Sequence, residues 1–385
     1  MKHNIHHLEK LIAFRRELHR HPELSGQEYQ TAQRIKQFIK TANPSSLIEG
    51  IGGTGMAFFF ESGREGPTIA IRSELDALPI EEVNSFDHGS TVDNISHKCG
   101  HDGHMTIVSG LADMLSKTPP ARGRVILLFQ PSEETGEGAL QMLNDPKMQA
   151  VKPDYLFALH NLPGKPAGQI LSRQGIFASA STGMIIRLKG KTSHAAEPEN
   201  GQSPAIAMAE IIKMLEELVT QAAETLSDFC LITVIHARLG ERAFGTTPGY
   251  AEVMGTIRAY RNADLETLKD MAAENAKAIA RKHSLNVEID WTEAFSSTEN
   301  HPKCYELLEK AAKNNGFDYK QMQLPYRWSE DFGYFTREYP GAMFALGSGE
   351  NTPDLHNPDY DFPEKIIPYG LTMFMEIINL ALNKA

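Results

Sequence analysis

The sequence has few cysteines, an excess of negative over positive charge, and no long apolar run. Only three cysteines occur in 385 residues, namely Cys99, Cys230 and Cys304. An odd number at long spacings is a poor disulfide framework, so we expect free or metal-bound thiols in a reducing compartment. A helix that spans a membrane needs about eighteen apolar residues in succession, and the sequence has no such run. A membrane partner is therefore not expected.

The charge balance excludes a further class of partner. The formal net charge is -11, whereas proteins that bind nucleic acid or anionic lipid need a basic face.

The first residues, 1–24, contain no uninterrupted apolar core and no small-residue cleavage site, so they do not resemble a secretory signal peptide. We therefore expect a cytoplasmic protein that acts on a small molecule.

Apolar runs predict the architecture of the first domain. Short runs at 56–60, 68–72, 125–130 and 155–159 alternate with segments of helical length, such as 105–116. Continuous apolar strands that alternate with helices are typical of a mostly parallel sheet covered on both faces. Two amphipathic helices are expected before the first run, with a break at His21-Pro22-Glu23.

The middle of the chain has a different pattern. Strand-like segments at 184–188, 231–237, 252–260 and 287–291 are interleaved with helical patterns at about 204–219 and 264–282. The order β-α-β-β-α-β is that of a ferredoxin-like domain. We predict an α/β domain over 1–178 and 295–385, interrupted by an inserted ferredoxin-like α+β domain over 179–294 that acts in dimerisation or as a lid.

The run Cys99-Gly100-His101-Asp102-Gly103-His104 is the strongest sign of chemistry. Thiolate and imidazole are ligands that Zn²⁺ and related cations prefer. Further candidates follow apolar runs: Asp76 after 68–72, Glu133-Glu134 after 125–130 and His160 after 155–159. Because the carboxyl ends of parallel strands meet at one edge of a sheet, these side chains are expected to converge, and His356 is a further candidate ligand.

Adjacent residues of an extended segment face opposite ways, so Glu133 and Glu134 are expected to have different tasks. One would bind metal and the other would contact the attacking water. The alternatives are a solvated acidic turn for the glutamates and a buried structural cysteine for Cys99. A third reading makes Cys99 a covalent nucleophile with His101 as its base, although their placement in one tight loop makes that geometry awkward.

Motifs along nearly the whole chain carry a resemblance to a known family. They are His19-Arg20-His21-Pro22-Glu23-Leu24, Arg72-Ser73-Glu74-Leu75-Asp76, the run from Cys99 to His104, Gln130-Pro131-Ser132-Glu133-Glu134, Leu159-His160, Gly190-Lys191-Thr192-Ser193-His194, Gly255-Thr256-Ile257-Arg258, Ser329-Glu330-Asp331-Phe332 and Leu355-His356-Asn357-Pro358. In this order they resemble the hippurate hydrolase and N-acyl-amino-acid amidohydrolase family of di-metal peptidases.

The resemblance implies a role for each matching residue. Two divalent metal ions per subunit would be bound by five residues, namely Cys99, His101, Glu134, His160 and His356. Glu133 would be the general base, and Asp76 would support the metal cluster. His194 would reach the active site of the partner subunit in a homodimer and stabilise the oxyanion. A thiolate ligand favours zinc, while manganese, cobalt, nickel and iron remain alternatives.

Two departures from the family pattern concern substrate and metal contacts. Relatives commonly carry Asp where this chain has Glu74, and Asn where it has Gly245, so the roles of both positions stay open. Arg258 is a candidate for binding a substrate carboxylate in a bidentate pair, or else an arginine that leaves an exposed strand.

The sequence thus predicts hydrolysis of the amide bond of an N-acyl amino acid. Alternatives are a dipeptidase or carboxypeptidase, and a metal-binding module without hydrolysis.

Overall fold

The computed structural model describes residues 5–383, so the extreme ends of the predicted first domain lie outside it. In chain order the α-helices of this range are α1 (Ile5–Arg20), α2 (Tyr29–Lys40), α3 (His101–Lys117), α4 (Gly138–Asn144), α5 (Met148–Val151), α6 (Ala205–Gln221), α7 (Asn262–Lys282), α8 (Pro302–Asn314), α9 (Phe332–Glu338) and α10 (Ile367–Asn383).

The strands of the described range are β1 (Ser46–Ile51), β2 (Gly55–Glu61), β3 (Thr68–Glu74), β4 (Arg124–Gln130), β5 (Tyr155–Pro163), β6 (Ile170–Ser172), β7 (Gly175–Ala178), β8 (Ala180–Lys189), β9 (Cys230–Leu239), β10 (Tyr250–Ala259), β11 (Asn286–Phe295), β12 (Thr298–Asn300), β13 (Tyr319–Gln321) and β14 (Gly341–Gly349).

Eight strands form the large sheet in the order β1-β2-β4-β3-β5-β14-β6-β13. The four central strands β4, β3, β5 and β14 run parallel, and every residue of β3 and β14 is buried. Burial on both faces explains why these strands read as continuous apolar runs in the sequence. The predicted fold class, a mostly parallel sheet flanked by helices, is confirmed.

Helices cover this sheet. Helices α1, α2 and α10 pack against α3, which contacts β3, while α4 and α9 contact each other and the central strands. Helix α2 begins where the carboxylate of Glu23 accepts hydrogen bonds from the backbone N–H and the hydroxyl of Thr31, at 2.7 and 2.8 Å. Such an acceptor satisfies an N–H group that has no partner within the first helical turn. Glu23, which lies in the predicted break, therefore stabilises the start of α2.

The second sheet has four antiparallel strands in the order β11-β8-β10-β9. Along β10, buried and half-buried residues alternate, and α6 and α7 pack together against the strands. One sheet face is therefore covered by helices, as the period of two predicts. The chain order β8-α6-β9-β10-α7-β11 is the ferredoxin-like order expected from the sequence.

The contacts divide the chain into two compact units. The first comprises the chain up to Phe177, Thr298–Leu324 and the chain from Asp331 onward, and the second comprises Ala178–Ser297 and Pro325–Glu330. The predicted bounds of 179–294 for the insertion lie close to these junctions. The segment Pro325–Glu330 was not predicted to belong with the insertion. It does so because the backbone N–H of Ser179 donates to the carbonyls of Tyr326 and Trp328, at 3.1 and 3.0 Å.

One segment of the described range, Glu364–Leu382, is long and apolar enough to cross a membrane by length and composition alone. In this structure 61% of it is buried inside the protein, and α10, which makes up most of it, packs against α3 and α8. A helix that is buried on most sides needs apolar residues on most sides. Packing in the core therefore accounts for its composition.

Candidate metal centre

Ionisable side chains gather at the edge where the central parallel strands have their carboxyl ends. Asp76 lies just beyond β3, Glu133 and Glu134 lie beyond β4, and Cys99 lies two residues before the first residue of α3. His160 also lies at this edge, but β5 continues to Pro163, so the prediction that the strand ends before His160 is wrong. The strand continues because it pairs with β14 as far as Pro163.

Cys99, His101 and His160 form one of the fully buried groups of possible metal ligands. One ligand atom from each lies within 4.8 Å of the others, and all three residues are buried. The Sγ atom of Cys99 is 3.5 Å from Nε2 of His160. The other ring nitrogen of His160, Nδ1, is 2.8 Å from the backbone carbonyl of Asn161, which makes it the donor. Nε2 of His160 is thereby left as the acceptor nitrogen that a cation needs.

Glycine at position 100 allows the close approach of this loop to the strand beside it. Gly100 has a φ of +93° directly before α3. A Cβ atom there would lie 2.6 Å from Oδ1 of Asn161, which is shorter than a real contact. Only glycine tolerates both the left-handed conformation and this approach. Gly100 therefore allows the side chains of Cys99 and His101 to lie close enough together to bind the same ion.

Glu133 and Glu134 lie in a turn and not in an extended segment. The N–H of Gly136 donates to the carbonyl of Glu133 at 2.8 Å. Both carboxylates approach Nε2 of His101, with one oxygen of each at 3.7 Å. The expectation that the two side chains face opposite ways is therefore wrong, because a turn does not alternate its side chains as a strand does.

His356 completes a second group of possible ligands with Cys99 and Glu134. Its Nε2 atom is 3.8 Å from an oxygen of Glu134, and its backbone N–H donates to the carbonyl of Lys98 at 2.8 Å. This backbone bond ties the His356 loop to the residue that precedes Cys99. His356 is half exposed, whereas the other candidate ligands are largely buried. The group therefore lies at the solvent-facing side of the site.

Asp76 contacts two of the candidate ligands, His101 and Glu134. Nδ1 of His101 lies 2.9 Å from the carbonyl of Asp76 and 3.4 Å from its carboxylate. The same carboxylate accepts the backbone N–H of Glu134 at 2.9 Å. A carboxylate that orients a ligand histidine through its second nitrogen is a common supporting partner in metal sites. Asp76 thus contacts both His101 and the backbone N–H of Glu134.

The donor atoms fit a divalent cation. With Nδ1 of His101 directed at Asp76, its Nε2 atom is buried and makes no hydrogen bond within the described residues. A buried polar nitrogen without a partner costs free energy, and here it faces two carboxylates. A thiol, imidazoles and carboxylates within 4.8 Å of one another are a donor set that binds zinc and its neighbours. The residues present therefore fit a metal ion.

Charge around the site shifts the pKa values of its histidines in opposite directions. Burial alone lowers the pKa of His101, but Asp76, Glu74 and Glu134 outweigh it and raise that pKa to about 10. Burial lowers the pKa of His160 to about 3. His160 is thus neutral and able to accept a cation, whereas His101 carries a proton that a cation would have to displace.

A buried network beside the site was missed by the sequence reasoning. Arg72 donates to the carboxylate of Glu74 and, at 2.8 Å, to that of Asp331. Glu74 also accepts from Nδ1 of His104 at 2.8 Å. Burial raises the pKa of Glu74, but Arg72 and His104 outweigh it and hold that pKa well below its usual range. Glu74 is therefore an ionised partner of His104, and the only signal in the sequence is Arg72 within an apolar strand.

The remaining candidates, His194 and Arg258, lie in the second unit. His194 is exposed, and its Nδ1 atom accepts the N–H of Ala196 at 3.1 Å. Arg258 donates to the hydroxyl of Ser329 at 3.0 Å and the carbonyl of Arg327 at 3.2 Å. Among the residues that the structure describes, no carboxylate lies within ion-pair distance of Arg258. Burial lowers the pKa of its guanidinium.

Comparisons with known proteins agree with this fold. The sequence matches the description "Peptidase family M20/M25/M40" over residues 70–380. It is 30% identical over 369 residues to an N-acetyldiaminopimelate deacetylase of Oenococcus oeni, with 94% of this chain and 96% of that protein covered. It is 29% identical over 376 residues to an N-acetylcysteine deacetylase of Bacillus subtilis, with 97% of each covered.

A solved structure shares the whole architecture. The YXEP protein of Bacillus subtilis, described as a dinuclear metal-binding peptidase of the M20 family, superposes with a TM-score of 0.83 at 26% identity. The superposition covers 99% of this chain and 100% of that protein. Fold and site together define a metal-dependent hydrolase of amide bonds. The chain belongs to peptidase family M20/M25/M40.

Proposed function

We propose that this protein hydrolyses the amide bond of an N-acyl amino acid, releasing a carboxylic acid and a free amino acid. The observation that carries the proposal is the position of Glu133: it lies outside the two groups of possible ligands that contain Cys99, and one oxygen of its carboxylate is 3.7 Å from Nε2 of His101. The two deacetylases that share about this length of chain act, by their names, on N-acetyl amino acids. They support this substrate class.

The reaction consumes one water and breaks the bond between the carbonyl carbon and the amide nitrogen. When bound, divalent ions polarise the carbonyl and lower the pKa of the attacking water toward about 7. Glu133 accepts a proton from that water as its oxygen attacks the carbonyl carbon. Glu133 then delivers the proton to the leaving nitrogen, which departs as an amine. The carboxylate of Glu133 is thereby regenerated.

Two ligand groups support two ions per subunit. Cys99, His101 and His160 form one group, and Cys99, Glu134 and His356 form the other, so the thiolate is available to both. Sulfur and imidazole ligands favour zinc among the divalent cations. We take zinc as the native metal, with manganese, cobalt, nickel or iron as the alternatives that a metal analysis distinguishes.

Arg258 supports recognition of a free carboxylate. Its guanidinium has polar neighbours but no acidic partner among the described residues, which leaves donors for an anion. A planar guanidinium binds a carboxylate with two parallel hydrogen bonds. We assign Arg258 to the carboxylate of the amino-acid part of the substrate.

A panel of substrates tests the proposed function. We expect the purified protein to release amino acid from N-acetyl and other N-acyl amino acids faster than from dipeptides, since a free α-amino group is absent from the proposed substrates. Release of amino acid is measured by amine-reactive fluorescence, with metal content determined on the same sample. Faster cleavage of dipeptides would replace the proposal by a dipeptidase. Bound metal without hydrolysis of any member would contradict an amidohydrolase of this class.

Dimer formation and the role of His194 are proposed on the family resemblance. We propose that His194 stabilises the oxyanion in the active site of the partner subunit of a cytoplasmic homodimer. Separately inactive His194→Ala and Glu133→Gln subunits are then expected to regain activity when mixed under conditions that exchange subunits. A heterodimer has one site with both residues intact, so about half of the parent activity per such dimer is its ceiling. Exchange without any recovery would place His194 in its own subunit's site, and an active His194→Ala variant would place it outside catalysis.

A further inference from the structure

The turn that carries the proposed base has an unusual backbone. Ser132, the residue before Glu133, has a φ of +52° and is buried. A left-handed conformation is costly for a residue other than glycine, and it persists only where neighbouring groups enforce it. The turn at Ser132 therefore requires partners that hold it.

One such partner is the carboxylate of Glu28, which lies in the loop between α1 and α2. Its Oε1 atom accepts the backbone N–H of Ser132 at 2.9 Å and the N–H of Gly26 at 2.8 Å. Its Oε2 atom accepts the hydroxyl of Thr54 at 2.9 Å. Three donors from three separate segments thus meet on one carboxylate. Glu28 itself is completely buried.

A second carboxylate holds the other end of the turn. Oδ2 of Asp76 accepts the backbone N–H of Glu134 at 2.9 Å and the hydroxyl of Ser25 at 2.7 Å. The loop containing Ser25 and Glu28 is thus connected to the N–H groups on both sides of Glu133. It is itself anchored to the sheet edge, since Leu24 pairs with Ala77 in a parallel bridge. Glu133 lies between two fixed backbone groups.

Stability alone gives no reason for a carboxylate at position 28. Within the described residues, no cation lies at ion-pair distance from Glu28. Burial raises the pKa of its carboxyl, and the nearby Asp76 raises it further, while the backbone N–H groups oppose both. A buried carboxylate without a cationic partner is costly. Its three hydrogen bonds recover part of that cost and fix the geometry of the turn.

We propose that Glu28 is a positioning residue for Glu133: it fixes the left-handed turn at Ser132 and so directs the base toward the attacking water. The expected loss of rate rests on the proposed function, whereas the expected effect on the turn at Ser132 does not. A base displaced by about 1 Å can lose about a hundredfold in rate. Glu28 contacts neither the ligand groups nor the carboxylate of Glu133 in the hydrogen bonds described above, so its effect passes through the backbone.

Two substitutions at position 28 separate geometry from charge. Glu28→Gln keeps an acceptor oxygen for Ser132 and Gly26, and its amide can donate to the hydroxyl of Thr54. Glu28→Asp keeps the charge but withdraws the oxygen by one methylene. Thr54→Val is the matched control, because it removes one hydrogen bond from Glu28 without touching the turn.

The experiment measures amide hydrogen exchange in a peptide spanning residues 132–137, kcat, KM and bound metal in each purified variant. We expect Glu28→Asp to exchange faster in this peptide and to lose about tenfold to a hundredfold in kcat, with KM and bound metal near those of the parent. Glu28→Gln and Thr54→Val should remain near the parent in all four measurements. If no member of the panel is hydrolysed, the exchange rates still test the turn.

Two results would overturn the inference. A loss in Glu28→Gln with Glu28→Asp near the parent would show that the charge matters and the geometry does not. Unchanged exchange at 132–137 in a folded Glu28→Asp variant would show that the turn holds without Glu28. If Glu28→Asp does not fold, amide exchange of the Glu28→Gln variant is measured at increasing urea concentrations instead. Exchange at 132–137 should then rise only with global unfolding, and earlier opening of this peptide would contradict the role.

Discussion

Replacing Glu133 with glutamine is expected to reduce turnover by roughly 10²- to 10⁴-fold, the usual effect of removing a general base. The amide of glutamine has nearly the shape of the carboxylate but cannot accept and return a proton. One oxygen of Glu133 lies 3.7 Å from Nε2 of His101, so the side chain is close enough to the ligand group to act on a water there. The measurement is kcat on the best N-acyl amino acid of the panel.

The neighbouring glutamate provides the matched control. Glu134 belongs to the ligand group with Cys99 and His356, so Glu134→Gln is expected to lose bound metal as well as activity. Glu133→Gln should keep the metal content and the melting temperature of the metal-loaded parent. Near-normal turnover in a metal-loaded Glu133→Gln variant would remove Glu133 from the role of base. Metal loss in that variant would instead make Glu133 a ligand.

Removing the metal is expected to abolish activity completely and to lower the melting temperature. Without a cation, the buried Nε2 atom of His101 has no hydrogen-bond partner among the described residues. A ligand present at a hundred times its dissociation constant stabilises the folded state by about 2.7 kcal/mol, which chelation takes away. Activity and melting temperature should return together when zinc or another divalent ion is added. Full activity after exhaustive chelation would favour Cys99 as a covalent nucleophile.

The raised pKa of His101 gives metal uptake a defined pH dependence. In the metal-free protein this pKa is about 10, so His101 is protonated at neutral pH and must release its proton to bind a cation through Nε2. Affinity for metal should therefore rise with pH, by up to about tenfold per unit for one released proton. The sign is reversed for the stability of the metal-free protein: the contribution of protonated His101 is fully present below pH about 6.5 and is lost as pH rises through about 10.

Calorimetric titration at several pH values, in buffers of different ionisation enthalpy, measures both the affinity and the number of protons released. His160 provides an internal contrast, because burial lowers its pKa to about 3 and it has no proton to release at neutral pH. An affinity that does not change between pH 6 and 8 would contradict a protonated His101 in the metal-free state.

The sequence was most informative where chemistry is local. The Cys99–His104 run and the apolar strands predicted which edge of the sheet carries the ligand groups, since carboxyl ends of parallel strands converge. The left-handed backbone of the turn at Glu133 was not predicted. Its left-handed residue is Ser132, and neither serine nor its neighbours signal a positive φ in the way that Gly100 does. The partners that hold the turn are about a hundred residues away, at Glu28.

The buried charges escaped prediction for a related reason. Arg72 lies in an apolar strand, and its compensating partner Asp331 is separated from it by 259 positions. Sequence periodicity predicts which face of an element is buried. It does not identify the distant charged residue that compensates a buried charge. The segment Pro325–Glu330 shows the same limit, since its grouping with the inserted unit depends on backbone hydrogen bonds to Ser179. Such long-range pairs become visible only in the folded chain.

The strands β7 and β12 pair in a two-stranded sheet at the place where the chain leaves the first unit and returns to it. The pairing of β7 with β12 therefore holds the two ends of the insertion side by side, independently of contacts within the inserted unit. An insertion with adjacent ends imposes little loop-closure cost on its host, so host and insert can vary in sequence as separate modules. Gene-level exchange of the inserted segment between relatives would thus alter one module while the candidate metal ligands, which lie in the other, stay in place.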